Sequence, residues 1–294
     1  MRVFVTGSTG FIGTPVVNEL IAAGHQVLGL ARSDAGARAL AAAGAEVHRG
    51  SLDDPDSLRR GAAAADAVIH LAFIHDFSRF QENCEVDRRA IEAMGAELAG
   101  SGRQLIVTSG TAGMAQPGQL ARETDVLPPD APLPRVSEQT ALALLDRGVR
   151  ASVMRLPQVH DTLRQGLVSY LIALAREKGV SAYVGDGSNR WSAAHVRDVA
   201  RLYRLALEKN EAGARYHGVA EEGVPMRDIA TAVGRGLRLP VVSLTPDEAA
   251  SHFGWLGMFA GHDLSASSAI TRQNLSWQPT GPGLIADLEQ MDFA

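Results

Sequence analysis

The sequence predicts an α/β fold in which helices cover both faces of a doubly wound parallel sheet. Short apolar segments alternate with longer amphipathic segments from the first residues onward. That alternation is typical of parallel strands joined by helical crossovers. A glycine-rich turn separates the first apolar segment from the first amphipathic one, and 294 residues are enough to bury a full core.

The predicted elements follow one another regularly over the first half of the chain. Strands are expected near residues 2–6, 26–31, 45–48, 67–71, 104–108 and 150–155, with helices near 12–23, 35–43, 55–64, 80–100 and 136–148. The alternation loosens after residue 156, with helices near 165–178, 197–209 and 226–237 and short strands near 182–184 and 215–219. The long segment 116–135 is rich in proline, and a loop of that length is usually functional.

The turn after the first strand has the pattern of a dinucleotide-binding loop. Its first glycine permits a tight turn, its second lets the backbone approach a pyrophosphate, and its third lets helix and strand pack closely. The N–H groups that open the helix would then face the bound anion. The alternative is a glycine-rich turn with a structural role alone. The predicted cofactor-contacting residues are Gly7, Ser8, Thr9, Gly10, Phe11, Ile12 and Gly13.

The G-x-x-G-x-x-G spacing, the preceding Thr6 and the enclosed Phe11-Ile12 resemble the extended and atypical short-chain dehydrogenase/reductase families. The resemblance implies a Rossmann domain over residues 1–160. It also implies a smaller substrate-binding lobe over residues 161–294, partly interleaved with the first domain.

The resemblance further implies contacts to the two halves of the cofactor. Leu52 would form an apolar wall against the adenine, and Pro157 would lie in the turn beside the nicotinamide carboxamide. His70, inside the fourth strand, is expected to be a core histidine with satisfied hydrogen bonds. The residues that leave this strand and run under the nicotinamide ribose would be Leu71, Ala72 and Phe73.

The end of the second strand indicates NADP rather than NAD. NAD-selective domains place an acidic residue there to bind the ribose hydroxyls. Here the strand contains no acid and is followed by Arg32 and Ser33. A guanidinium beside a hydroxyl suits the ribose 2′-phosphate, because arginine makes planar, charge-assisted contacts to phosphate. The alternative is a solvent-exposed arginine without a ligand.

The resemblance implies a catalytic tyrosine with a lysine four residues later, which lowers the pKa of the phenol. The chain lacks that pair. None of its four tyrosines has a lysine at that spacing, and its only lysines are Lys178 and Lys209. Alignment on Ser137 places Asp130 and Pro134 where the pair would stand. Loss of the pair is a feature of an atypical subgroup of these families.

Four residues are the catalytic or substrate-contacting candidates. Ser109 and Thr111 end the fifth strand, where relatives place a hydroxyl that binds the substrate oxygen. Asp87 replaces a helix asparagine of the extended members, and His160 follows the sixth strand and would titrate near neutral pH. The alternatives are hydroxyls that bind loop backbone, and at Asp87 a solvated carboxylate paired with a neighbouring arginine.

Composition excludes several classes of partner. A net charge of −5 with mixed signs offers no basic face for nucleic acid or an anionic membrane. No apolar run approaches the length of a bilayer span, and a strand predicted from residue 2 leads us to expect no presequence. The single cysteine, Cys84, excludes an internal disulfide and favours a reducing compartment. We expect a cytoplasmic protein with a small-molecule substrate and no metal site, and the sequence allows a homodimer.

The resemblance implies an oxidoreductase that transfers hydride from NADPH to a small carbonyl or imine. Without the Tyr-Lys pair an imine is attractive, because a protonated imine becomes a neutral amine and needs no proton donor. Asp87 would stabilise that cation. Two alternatives stay open: a nucleotide-sugar epimerase or dehydratase, and a protein that binds NADP(H) without turnover and senses its redox state.

Overall fold

The computed structural model describes residues 1–114, 118–127 and 134–293. Seven strands form one parallel sheet in the order β10-β6-β5-β4-β1-β2-β3. The order reverses between β1 and β4, which is where doubly wound sheets bind ligands beyond the carboxyl ends of their strands. The strands are β1 (Arg2–Thr6), β2 (Gln26–Ala31), β3 (Glu46–Arg49), β4 (Ala67–His70), β5 (Gln104–Gly110), β6 (Arg150–Leu156), β7 (Gln158–His160), β8 (Ser181–Val184), β9 (Arg190–His195), β10 (Arg215–His217), β11 (Glu221–Pro225) and β12 (Val241–Leu244).

Helices cover both faces of this sheet. The helices are α1 (Gly13–Ala22), α2 (Asp34–Ala42), α3 (Pro55–Ala63), α4 (Phe80–Leu98), α5 (Ser137–Ala143), α6 (Val168–Lys178), α7 (Val196–Lys209), α8 (Met226–Leu237), α9 (Pro246–Phe253), α10 (Gly257–Ala260), α11 (Ala269–Leu275) and α12 (Leu284–Gln290). Helices α1 and α7 pack together over one face, and α3, α4 and α5 pack over the other. Within the described ranges no helix is both long and apolar enough to cross a bilayer.

The central elements form for local reasons that the sequence shows. Val3, Phe4 and Val5 are 0% exposed, as expected for an inner strand of a parallel sheet that is covered on both faces. The Ser33 side chain caps α2, and Asp54 caps α3 just before its first-turn proline. These caps fix where the chain turns at the edge of the sheet that carries the candidate site.

The C-terminal part of the chain has an apolar core of its own. Helices α6, α8, α9, α10 and α12 contribute to it, together with the small sheets β11-β9-β7 and β12-β8. Helix α7 and strand β10 lie in the same part of the sequence but return to the central sheet, α7 against α1 and β10 beside β6. The two packing units therefore interleave along the chain.

The predicted fold class is confirmed, and the first-half elements lie within a few residues of their predicted ends. Helix α5 is shorter than expected and continues as one 3-10 turn over Leu144–Arg147. Four strands were not predicted: β7, β9, β11 and β12. They have only three to six residues and pair with partners distant in sequence, so no local alternation marks them.

Candidate active site

The turn between β1 and α1 has the geometry of a close approach to a ligand. Gly7 has a φ of +66°, and a Cβ atom there would lie 2.8 Å from the backbone nitrogen of Ala72. A Cβ atom on Gly13 would overlap the Gly7 carbonyl oxygen. A Cβ atom on Gly10 would have, among the described residues, only that same oxygen within 4 Å, at 3.1 Å, so they leave the space in front of Gly10 open. The turn thus fits a pyrophosphate in front of the first N–H groups of α1.

The other residues of the turn divide between the core and the surface. The Ser8 hydroxyl is 1% exposed and donates a hydrogen bond to the Leu30 carbonyl oxygen at 2.9 Å, so it ties the turn to β2. Phe11 and Ile12 are half-buried and pack against the core, whereas Thr9 is exposed. Ser8 can therefore contact a cofactor only through its backbone.

Arg32 and Ser33 lie exposed where β2 ends. The Ser33 hydroxyl accepts a hydrogen bond from the Gly36 backbone nitrogen at 3.1 Å. Asp34, the acid nearest to this strand end, forms an ion pair with Arg49. The Arg32 guanidinium makes no ion pair or hydrogen bond with any described residue, so the structure leaves it accessible to an anion.

The remaining predicted cofactor residues lie around the same edge of the sheet. Leu52 is half-buried after β3 and packs against the core under α3. Pro157 lies half-buried between β6 and β7. The half-buried segment after β4 is held down by Thr6, whose hydroxyl oxygen accepts hydrogen bonds from the backbone nitrogens of Leu71 and Ala72, both at 3.2 Å.

A buried chain of polar side chains lies under that segment. Thr6 Oγ1 is 2.7 Å from His70 Nδ1, and His70 Nε2 is 3.1 Å from Asp87 Oδ1. The Ser137 hydroxyl donates to the other carboxylate oxygen of Asp87 at 2.5 Å. All four side chains are at most 2% exposed. The chain joins β1, β4, α4 and α5 at one point.

The backbone contacts of Thr6 fix the directions of these hydrogen bonds. Because Thr6 Oγ1 already accepts two backbone N–H groups, we assign its proton to the bond with His70 Nδ1. The ring proton of neutral His70 then lies on Nε2 and points at Asp87. Thr6 therefore donates to His70, and His70 and Ser137 both donate to the Asp87 carboxylate.

Asp87 is an ionised, buried group. Burial raises the pKa of its carboxyl, but the hydrogen bond from His70, the charge of Arg135 and the hydrogen bond from Ser137 together bring that pKa below the ordinary value of 3.8. The alternative of a solvated carboxylate paired with a neighbouring arginine is wrong, because Asp87 is 2% exposed and Arg88 pairs with Glu85 and Glu92.

Arg135 extends this chain to the edge of the sheet. Its Nε donates to the Ser137 hydroxyl oxygen at 2.9 Å, and its Nη2 donates to the Thr108 carbonyl oxygen at 3.0 Å. The guanidinium carbon lies 4.3 Å from the centre of the Phe73 ring. Arg135 is half-buried, so it is the cationic group of this site that a substrate could reach.

The two predicted hydroxyls at the end of β5 differ in their bonding. Side chains alternate along a strand, so Ser109 lies on the same face as Val107, the face that α4 and α5 cover. Its hydroxyl has no hydrogen-bond partner among the residues the structure describes, and it is 8% exposed. Thr111 Oγ1 reaches the Leu156 carbonyl oxygen only at 3.5 Å. Both hydroxyls can accept or donate to a ligand with little loss.

The structure does not place His160 among the buried polar side chains that run from Thr6 to Ser137. Its side chain is 0% exposed, and Nδ1 lies 2.7 Å from Asp287 of α12. Nε2 has no hydrogen-bond partner in the described structure and lies 4.0 Å from Glu221, and the His195 ring is 5.9 Å away. The cluster fastens the C-terminal helix to β7 and β9.

Aromatic side chains join the segment after β4 to the C-terminal lobe. Phe77 stacks on Trp255 with ring centres 4.0 Å apart, and Tyr170 meets both rings edge-on. Phe77 in turn contacts Phe80, whose ring is 6.1 Å from that of Phe73. An aromatic cluster therefore joins the two packing units beside the segment that follows β4.

Sequence reasoning assigned no catalytic role to Thr6, His70, Ser137 or Arg135. His70 was expected in the core, where it is, and Ser137 served only as an alignment point. Arg135 lies at the end of the proline-rich segment and carries no motif of its own. Asp130, the residue aligned with the missing tyrosine, lies outside the described residues.

Comparisons with known proteins agree with this architecture. A family model for the NAD dependent epimerase/dehydratase family matches residues 3–219. An uncharacterized protein of Schizosaccharomyces pombe is 48% identical over 290 residues, which is 98% of each chain. A 2-alkyl-3-oxoalkanoate reductase of Stenotrophomonas maltophilia is 31% identical over 245 residues, covering 78% of this chain and 73% of that protein. A dTDP-glucose 4,6-dehydratase of Streptomyces venezuelae, solved with NAD and TYD, shares the fold with a TM-score of 0.78 at 19% identity, covering 99% of this chain and 96% of that one.

Proposed function

The chain belongs to the NAD dependent epimerase/dehydratase family, and on that premise we propose that it is an NADPH-dependent reductase of small carbonyl compounds. The observation that carries the proposal is the set of groups at the carboxyl edge of β4 and β5. The Arg135 guanidinium donates there to Ser137 and to the carbonyl oxygen of Thr108, the residue that precedes Ser109. The four tyrosines of the sequence all come after residue 130, which aligns with the family's tyrosine. Such a site polarises a carbonyl oxygen without a phenol.

The cofactor would be held along the edge already described. The turn at Gly7–Gly13 and the start of α1 would bind the pyrophosphate, and Arg32 with the α2 N-terminus at Ser33 would bind the 2′-phosphate. Leu52 would pack against the adenine, and Leu71, Ala72, Phe73 and Pro157 would border the nicotinamide ribose and carboxamide. Bound NADPH would supply a hydride to the carbonyl carbon.

The charges of the site favour a carbonyl over an imine. Asp87 is 2% exposed and accepts hydrogen bonds from His70 and Ser137, so its carboxylate faces the protein rather than a substrate. The charge that a substrate would meet is the half-buried guanidinium of Arg135. A guanidinium repels an iminium ion and attracts a carbonyl oxygen.

Two rival functions make different demands on the site. An epimerase or dehydratase of nucleotide sugars would rely on the Tyr-Lys pair to move protons, and this chain has no such pair. A redox sensor would need NADP(H) binding alone. The relative named 2-alkyl-3-oxoalkanoate reductase is, by its name, a reductase of a keto acid, which supports carbonyl reduction.

The test is NADPH oxidation measured against ketones, aldehydes, cyclic imines and nucleotide sugars in parallel. We expect reduction of ketones or aldehydes, slower reduction of the matching imines and no conversion of the sugars. Tight NADPH binding with no oxidation by any compound would favour the sensor, and conversion of a nucleotide sugar would favour the epimerase.

A substitution at Arg32 tests the choice of cofactor. Arg32→Asp removes a charge-assisted contact, which contributes roughly 1.5–3 kcal/mol, or about tenfold to a hundredfold in affinity. NADPH should bind that much more weakly while NADH is little affected, as measured by fluorescence titration. Arg59→Asp is the matched control, because Arg59 is exposed on α3 and pairs with Asp56. Equal losses for both cofactors would show that Arg32 does not bind the phosphate.

A further inference from the structure

Arg135 is half-buried and has no carboxylate partner within hydrogen-bond distance among the described residues. Arg155, for comparison, is 0% exposed and makes two bonds to Glu138, at 2.7 and 2.6 Å. Arg135 donates only to neutral oxygens, those of Ser137 and Thr108. Its three other N–H groups have no hydrogen-bond partner in the described ranges. A half-buried guanidinium with unused donors is a site for an anion.

The guanidinium is also held in one orientation. Ser137 can accept from Arg135 Nε because its own proton is used in the bond to Asp87. Thr108 fixes a second nitrogen through its carbonyl oxygen, and the Phe73 ring supports the plane of the guanidinium at 4.3 Å. The buried chain from Thr6 to Ser137 thus ends in a preorganised cation at the sheet edge.

We propose that Arg135 stabilises the negative charge that develops on the substrate carbonyl oxygen. The inference rests on the proposed reductase function and adds a residue that takes over the electrostatic part of the missing Tyr-Lys pair. Preorganised donors aimed at developing charge are usually the largest single contribution to such catalysis. Asp87 is then a positioning residue, because it acts on Arg135 through Ser137.

The electron and proton balance of the step is simple. As the carbonyl carbon accepts the hydride with its two electrons, the C=O π pair moves to oxygen and NADPH becomes NADP⁺. The resulting alkoxide takes a proton from water. Arg135 keeps its own protons throughout, because a guanidinium remains charged at any pH at which proteins work.

The first experiment uses the pH profile of turnover in Arg135→Lys. The wild type should show no loss of rate between pH 8 and 10, since its cation does not titrate there. Lysine has an ordinary pKa of about 10.4, and partial burial lowers it, so the variant should lose rate as pH rises through this range. A merely structural role would not produce that basic limb.

The other titratable groups near Arg135 do not interfere with this range. The pKa values of Asp87 and His75 lie below their ordinary values of 3.8 and 6.5, through hydrogen bonds at Asp87 and through burial at His75. Burial raises the pKa of Cys84 to about 11 and raises that of Tyr203 further. None of them changes charge between pH 8 and 10.

The second experiment removes the charge with Arg135→Met. We expect kcat for a ketone without a carboxylate to fall about a hundredfold, as on removal of an oxyanion donor, while the Kd of NADPH changes less than twofold. Arg88→Met is the matched control, because it removes the charge of a half-buried arginine of α4 that pairs with Glu85 and Glu92 instead of with Ser137. It should leave kcat unchanged.

A binding measurement separates this inference from the proposed function. Benzoate, an anionic mimic of the alkoxide, is titrated into the protein–NADP⁺ complex beside neutral benzyl alcohol. Arg135→Met should weaken benzoate at least tenfold and leave benzyl alcohol unchanged. Unchanged benzoate affinity, an unchanged kcat, or a loss confined to the KM of carboxylate-bearing ketones would overturn the role of Arg135 while carbonyl reduction stands. A wild type that reduces no carbonyl overturns both proposals.

Discussion

The two ends of the candidate site are built by different means. The proposed cofactor end is a continuous turn of seven residues, Gly7 to Gly13, in which backbone N–H groups at the start of α1 would face the ligand. The reaction end consists of side chains from separate segments, from Thr6 in β1 to Ser137 at the start of α5. The cofactor end depends on glycines, which leave room for a ligand because they have no side chains. The reaction end depends on side chains that are hydrogen-bonded to one another.

This difference sets how each end responds to substitution. In the turn, an added side chain affects only the binding of the cofactor and leaves the reaction end intact. In the polar chain each group uses its neighbour's lone pair or proton, so the loss of one hydrogen bond reorients the next group. We therefore expect a substitution in the turn to impair cofactor binding alone, and a substitution at any of the coupled side chains to disturb the whole reaction end.

The largest expected effect comes from a matched pair of substitutions in the turn. Gly10→Val places its Cβ atom 3.1 Å from the Gly7 carbonyl oxygen, with no other atom of the described ranges within 4 Å. We expect it to fold with a Tm close to that of the wild type but to lose more than a hundredfold in affinity for both NADPH and NADH, a change of about 2.7 kcal/mol or more. Gly13→Val overlaps the Gly7 carbonyl and should lower the Tm strongly. Wild-type cofactor affinity in Gly10→Val would reduce the turn to a structural feature.

The second effect is at the reaction end. Asp87→Asn removes one of the two acceptors on which His70 and Ser137 depend, leaving a buried donor without a partner at a cost of about 1–3 kcal/mol. Because Ser137 then no longer fixes Arg135, turnover should also fall by about a hundredfold, on the scale of a lost proton-handling or charge-stabilising group. NADPH affinity should change little. Thermal unfolding, kcat and Kd are the three measurements.

Glu85→Gln is the control for this substitution, since Glu85 is exposed on the same helix and pairs with Arg88. Coupling through Ser137 predicts that Asp87→Asn and Arg135→Met together lower kcat little more than either alone. Additive losses in the double variant would mean that the two residues act independently, and the picture of a single coupled unit would then be wrong.

The same difference explains what the sequence could and could not predict. The fold and the cofactor turn depend on local patterns: apolar strands, amphipathic helices and a glycine spacing within seven residues. Ser137 and Asp87 meet across 50 residues of chain, and Thr6 and His70 across 64, so no periodicity marks their contact. Arg135 follows a proline-rich segment whose length indicated a function but not a residue.

Two histidines show how the sequence alone can mislead about which residue belongs to the site. His160 follows a strand end and has an ordinary pKa near neutrality, which made it a catalytic candidate, whereas His70 was expected to be a core residue. Both are at most 1% exposed, yet His70 belongs to the chain that ends at Arg135 and His160 pairs with Asp287 in the C-terminal lobe. We expect His70→Asn to lower turnover about tenfold or more, and His160→Asn to leave it within twofold.

The smallest expected effect is the pH dependence of stability that His160 contributes. Burial lowers the pKa of His160, and the nearby carboxylates of Asp287 and Glu221 offset only part of that shift, while His195 adds to it. The folded state therefore binds a proton less readily than the unfolded state, whose histidine has a pKa of 6.5. The stabilisation is complete above pH 6.5 and is lost as pH falls through the folded pKa, with a slope of at most about 1.4 kcal/mol per pH unit for one proton. The free energy of unfolding, measured with urea at several pH values between 7.5 and 5, should fall less steeply with decreasing pH in His160→Asn than in the wild type. An equal pH dependence in the two proteins would mean that folding leaves the pKa of His160 unchanged. A wild type whose free energy of unfolding rises relative to the variant as pH falls from 7.5 to 6.5 would mean that His160 is protonated in the folded protein and forms an ion pair.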